Sequence, residues 1–189
     1  MKALLAEIRQ CRICEKHLPN PPNPIVSASE SASILIIGQA PGKVVDETGI
    51  PWNDRSGDTL RQWLAVSEQD FYDPAKIALV PMGFCYPGKG KSGDLPPRPE
   101  CAKEWHGSLL ANMINVKLTL LIGSYSQHTY LNERRKENLT QTVKAFTEYL
   151  PEIIPLPHPS PRNRIWLSKN PWFEDKVIPM LQKSVSNVL

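Results

Sequence analysis

The chain has 189 residues and a formal net charge of +3, enough for one domain with a proper core and too weakly basic to demand an anionic partner on charge alone. Its apolar runs are far too short to span a bilayer. Residues 1–13 carry Glu7, Arg9 and Gln10 and lack a signal-peptide core, which places the chain in the cytoplasm with no membrane partner.

Residues 1–12 show helical periodicity, with Leu4, Leu5 and Ile8 on one face. The proline-rich stretch 19–24 ends that helix. Ile34-Leu35-Ile36-Ile37 is a short, wholly apolar run of the kind that forms a buried parallel strand. It runs straight into the rigid loop Gly38-Gln39-Ala40-Pro41-Gly42. Residues 56–66 read as a helix capped by Ser56 or Asp58, with Leu60, Trp63 and Leu64 facing inward. Residues 77–80 form a second strand, followed by a long loop rich in Gly, Pro and Lys. Residues 99–113 read as a helix with Pro99 in its first turn. Residues 118–122 give a third strand, residues 124–131 and 139–150 two helices, and residues 153–156 a fourth strand. That strand leads into a second rigid loop, His158-Pro159-Ser160-Pro161-Arg162-Asn163. Asn170-Pro171 opens a last helix reaching about Val185. Strands alternating with helices predict a single domain over 1–189, a three-layer α/β/α sandwich around a mostly parallel four-stranded sheet. In such sheets ligands bind at the C-terminal ends of the strands. The two rigid loops both sit there, so they predict one site assembled from distant parts of the chain.

The four cysteines form two pairs, Cys11-x-x-Cys14 and Cys85 with Cys101. A structural disulfide is disfavoured in a reducing compartment. Four thiols suit an iron–sulfur cluster or zinc; the plainer alternative is four unrelated buried thiols packing as small apolar groups. Two residues separate the first pair and fifteen the second. That asymmetry is unlike a zinc ribbon and favours a cluster, one that staples the first helix to the long loop.

With these features together, the sequence resembles the uracil-DNA glycosylase superfamily, most of all its iron–sulfur branches, families 4 and 5, in a bacterial subgroup. The first loop looks like the family-4 string Gly-Glu-Ala-Pro-Gly. Thr48-Gly49-Ile50-Pro51-Trp52 stands where that family has Thr-Gly-x-Pro-Phe, whose aromatic stacks on the extruded base. Asp54-Arg55-Ser56-Gly57-Asp58 is similar to the family-5 string after its aromatic, and His158-Pro159-Ser160-Pro161 matches the second superfamily motif. The resemblance implies a DNA-base glycosylase, monomeric, acting on single- or double-stranded DNA, with Cys11, Cys14, Cys85 and Cys101 holding a [4Fe–4S] cluster. It departs from the pattern twice. Gln39 replaces the water-activating acid, and Pro81 replaces an Asn that reads the uracil edge; proline has no amide side chain.

Cleaving an N-glycosidic bond needs a platform for the base, a carboxylate near the sugar and a donor for the departing base anion. The resemblance assigns Trp52 as platform, the plainer alternative being a Trp that anchors the loop in the core. It assigns Asp54 as carboxylate, the alternative being a helix cap, with Asp46 and Glu47 as substitutes in the same loop. His158 is the donor, against the alternative of a structural histidine. Gln39 orients a water or the base but cannot act as a general base. Ala40 and Met82 complete the base-binding set. Gly42, Lys43, Ser160, Arg162, Asn163 and Arg164 form the DNA-binding set, Arg162 standing where relatives insert a side chain into the vacated stack. Basic residues and aromatics alternate from Ser160 to Phe173, a pattern that suits phosphate contact and stacking, while Trp172 and Phe173 read as core. Two other functions remain in competition: a nucleic-acid-binding relative that lost its chemistry, which Gln39 and Pro81 favour, and a metal-stapled redox or sensor protein.

Overall fold

The computed structural model describes residues 1–189. Helix α1 (Lys2–Arg9) precedes strand β1 (Ile34–Ile37), which is followed by helices α2 (Lys43–Thr48), α3 (Arg55–Leu64) and α4 (Glu68–Tyr72) and strand β2 (Ile77–Leu79). A small hairpin pairs β3 (Lys89–Gly90) with β4 (Gly93–Asp94). One long helix then runs through α5 (Pro99–Cys101), a π turn (Ala102–His106) and α6 (Gly107–Asn112). Strand β5 (Leu118–Ile122), helices α7 (Ser124–Leu131) and α8 (Leu139–Lys144), and strand β6 (Ile153–Leu156) follow. Helix α9 (Arg164–Lys169), a second π turn (Phe173–Val177) and α10 (Ile178–Val188) complete the chain.

The central sheet has four strands in the order β2-β1-β5-β6, all parallel. Its strands are almost wholly apolar, Thr119 in β5 excepted, because both faces are covered. Alternate residues divide between the faces, as the two-residue period of a strand requires. Ile34, Ile36, Leu120 and Leu156 join Leu60, Trp63, Phe173 and Leu181 in one buried cluster under α3 and α10. Leu35, Ile37 and Leu121 join Leu5, Ile8, Trp105 and Leu109 in a second, under α1 and the long helix. The two clusters make the three-layer sandwich. Each fully buried Leu or Ile contributes about 1.5–3 kcal/mol by area transfer.

Both edges of the sheet are blunted. Ser27 pairs antiparallel with Leu79 through two backbone hydrogen bonds of 3.0 and 2.7 Å, covering part of β2. Pro155 lies in β6, an edge strand, where a missing N–H costs no ladder bond on the open side.

Several boundaries differ from the sequence reading. Helix α3 starts at Arg55 and is capped by Asp54, whose side chain accepts from Gly57 N, in place of Ser56 or Asp58. Residues 139–150 do not form one helix: α8 stops at Lys144 and a 3₁₀ turn occupies Phe146–Glu148. Helix α2 and the β3–β4 hairpin occupy stretches read as loop, and α9 precedes the last helix as a separate turn.

Candidate active site

A cavity of about 450 Å³ opens at the C-terminal ends of the sheet strands, within the usual range for small-molecule sites, about 300–1,000 Å³. The loop after β1 and the loop after β6 both line it, together with Pro81 beyond β2 and the β4 end of the hairpin. The first loop is held by main-chain bonds. Met82 N donates to Gly38 O at 2.9 Å, and Gly83 N donates to Gln39 O at 3.0 Å. Pro81 presents no N–H, and its carbonyl already accepts from His106 Nε2 at 3.0 Å. His106 Nδ1 in turn accepts from the Tyr130 hydroxyl. Burial holds the His106 ring below its ordinary pKa, which suits this neutral tautomer.

Trp52 lines one side of the cavity, its ring centroid 5.7 Å from that of His158 with the planes tilted by 31°. It packs at once on the site and on the first hydrophobic cluster, so the two alternatives for Trp52 coexist in one side chain. Two glycines make the space. A Cβ on Gly38 would stand 2.7 Å from Trp52 Cζ2, and one on Gly57 would stand 1.7 Å from Trp52 O. The Trp52 backbone itself sits at φ 56°, in the left-handed region, a strained choice for an aromatic residue.

His158 is half-buried, and its Nδ1 is fully covered without a hydrogen-bond partner. Native structures pair nearly all buried polar atoms, so an unspent one in a cavity-lining ring calls for an explanation. Burial pushes the His158 pKa below its ordinary value, against the opposing pull of Asp54 and then Asp94; the ring is neutral at pH 7. The loop that carries it is tied down by Asn163 Nδ2, which donates to His158 O at 2.6 Å, and by Ser160, which caps the 3₁₀ turn Pro161–Asn163.

Asp54 is a cap and a cavity residue together. Its Oδ1 accepts from Gly57 N at 2.9 Å, while Oδ2 lies 4.0 Å from the point where Gly42 would carry a Cβ. Gln39, Ala40, Gly42, Ser160, Arg162 and Asn163 line the same cavity. Arg162 reaches across to the hairpin, Nη1 donating to Ser92 O at 3.2 Å.

Other expected residues lie elsewhere. The Met82 side chain is buried in the second hydrophobic cluster and does not line the cavity; only its backbone N–H serves the site. Lys43 is exposed, 3.7 Å from Glu47, and Arg164 starts α9 outside the cavity lining. The Asp46 carboxylate accepts from Asn20 Nδ2 at 2.8 Å, and its backbone carbonyl accepts from Asn23 Nδ2 at 2.9 Å. Asp94, Gly93 and Ser92 line the cavity although no sequence signal marked them; they stand in a Gly/Lys-rich loop that resembles no motif. Trp172 is partly buried against the first cluster, which Phe173 joins fully buried.

The four cysteines are all free; Cys14, Cys85 and Cys101 are buried and Cys11 is half-buried. Burial raises the Cys14 thiol above its ordinary pKa, and the nearby Cys11 adds to the shift. Burial pushes Cys85 and Cys101 up to about 12. No group of three or more His, Cys, Asp or Glu side chains is gathered into a ready ligand sphere for a metal ion. The thiols therefore share one region without the convergence that the spacing implied. No helix is long and apolar enough to cross a membrane.

Compared with known protein families, residues 26–182 match the model described as the uracil DNA glycosylase superfamily.

Proposed function

The chain belongs to the uracil-DNA glycosylase superfamily, and from that premise we propose that it excises a damaged or non-standard base from DNA by hydrolysing the N-glycosidic bond. Membership supports a DNA-acting, glycosylase-like hydrolase in general. The observation that carries the finer reading is His158: a neutral ring that lines the cavity beside Trp52 at the strand ends.

In this reading the target nucleotide is flipped out of the stack at a cost of a few kcal/mol, and its base lies against Trp52. The C1′–N bond breaks and its electron pair leaves with the base. The neutral imidazole of His158 donates a hydrogen bond to a base oxygen as negative charge collects there, and a donor fixed before the reaction needs no reorganisation during it. Asp54, with one oxygen held by the cap and the other toward Gly42, opposes the positive charge on the sugar. Gln39 and the Ala40 backbone border the base. Ser160, Asn163, Arg162 and the backbone of Gly42 and Lys43 meet phosphates, with Arg164 outside the cavity adding charge along the strand.

The cysteines enter the same reading as ligands to a [4Fe–4S] cluster. Their donor chemistry fits: four free thiols in one region, three of them buried. Such a cluster supplies a structural tie and no step of the hydrolysis. Free thiols also suit a reducing cytoplasm.

Single-turnover base release from a panel of oligonucleotides, each carrying a different lesion, tests the proposal. The expected result is release from at least one lesion, slowed roughly 10²–10³-fold by His158→Ala, the cost of one preorganised donor. Gln39, in place of the family acid, favours one rival: a relative that binds DNA without cutting. Tight, salt-dependent binding with no release from any lesion overturns the proposal in its favour.

A further inference from the structure

Hydrolysis needs an acceptor for the proton of the attacking water, and the loop that supplies one in relatives has Gln39 here. Asp54 is only half available, because its Oδ1 accepts from Gly57 N. A second carboxylate faces the same glycine, Gly42. Asp94 Oδ2 lies 3.6 Å from the point where Gly42 would carry a Cβ, against 4.0 Å for Asp54 Oδ2. Gly42 carries no side chain, so both carboxylates face the same glycine on the cavity wall. Asp94 belongs to no ion pair and lines the cavity, so its carboxylate is uncommitted.

Resting on the glycosylase reading, we propose that Asp94 is the catalytic base that orients the attacking water and takes its proton. The fold holds it there deliberately. Asp94 ends strand β4, paired with Lys89 across the hairpin. Leu95 N donates to Gly88 O at 2.8 Å, closing the base of the hairpin. Arg162 braces the tip from the His158 loop through its bond to Ser92 O, and it fits only because Gly93 has no side chain: a Cβ there would stand 2.6 Å from Arg162 Nη1. The two acids therefore divide the work. Asp54, locked by its cap, faces the cationic sugar as a fixed counter-charge. Asp94, free of protein partners, handles the water. The water oxygen bonds to C1′ and one water proton passes to the Asp94 carboxylate. The electron pair of the broken C1′–N bond leaves on the base, which His158 holds until solvent protonates it. Asp94 then returns its proton to solvent.

The test is single-turnover release from the lesion that the wild-type protein processes, for wild type, Asp94→Asn and Asp94→Glu, with DNA affinity measured alongside. Asp94→Asn is expected to slow release roughly 10²–10⁴-fold, the usual share of a general base. It should leave DNA affinity undiminished, since it deletes a negative charge near phosphates. Asp94→Glu should recover part of the rate. Release by Asp94→Asn within a few-fold of wild type overturns this role and leaves the glycosylase reading standing. No release by the wild type from any lesion overturns that reading and this role together.

Discussion

Asp54 carries two duties that one substitution can separate. As the N-cap of α3 it satisfies Gly57 N at 2.9 Å; as a cavity residue it directs its other oxygen toward Gly42. Asn caps a helix about as well as Asp, whereas Ala does not, at a cost of about 1 kcal/mol. Asp54→Asn is therefore expected to keep its stability within a few tenths of a kcal/mol of wild type, while Asp54→Ala loses about 1 kcal/mol in urea denaturation. Both should slow base release alike, since neither keeps the charge. Equal release by wild type and Asp54→Asn would reduce Asp54 to a cap. Trp52 shows the same economy. Its strained backbone at φ 56° is accommodated because Gly57 and Gly38 carry no side chain where the Trp52 carbonyl and ring lie, and strain of this kind, about 1–3 kcal/mol, tends to survive at working sites.

Elements differ in how plainly the sequence announced them. Strands β1, β5 and β6 were legible to the residue, because each is an apolar run, broken only by Thr119 in β5, that is followed by Gly or Pro. Both site loops followed from those strands. The β3–β4 hairpin was illegible: its strands have two residues each, too few for any alternation, and its composition is that of a loop. The residues it brings to the cavity, Asp94 above all, were missed with it. Met82 failed for the opposite reason. Its position beside Pro81 was right, but the chain there turns the side chain into the core. The cysteine pairs join two such elements, the end of α1 and the segment carrying the hairpin, since Cys85 and Cys101 bracket it. Protein purified without oxygen is expected to be brown, with iron and acid-labile sulfide in equal amounts, and Cys85→Ser to lose both colour and several degrees of melting temperature. Colourless protein with one zinc per chain would replace the cluster by a single ion.

On the scale of the molecule, two histidines bias stability in the same direction. His106, packed against Phe84 at the second cluster, and His158 in the cavity are both held below their ordinary pKa by burial. An unfolded histidine binds its proton near pH 6.5, and the folded chain resists doing so. The stability they confer is complete above that pH and is lost as the pH falls through it toward the lower folded values. Denaturation midpoints measured from pH 7.5 down to 5 should fall steadily, and fall less in His106→Gln, whatever that variant's own stability. A flat profile would mean that neither ring resists its proton. His106 also reaches the cavity through one atom, the carbonyl of Pro81. Proline gives that wall no donor, and the histidine has already engaged its acceptor. Where a site pairs a substrate group by hydrogen bond, it rejects look-alikes by about 10⁴–10⁵-fold; a wall that only fills space manages about 10–200-fold. For a base lying on Trp52, the Pro81 side of the cavity is of the second kind. In the glycosylase reading that wall selects by outline rather than by edge chemistry, and the lesion panel is expected to show several bases of one shape released where a matched amide would admit a single one.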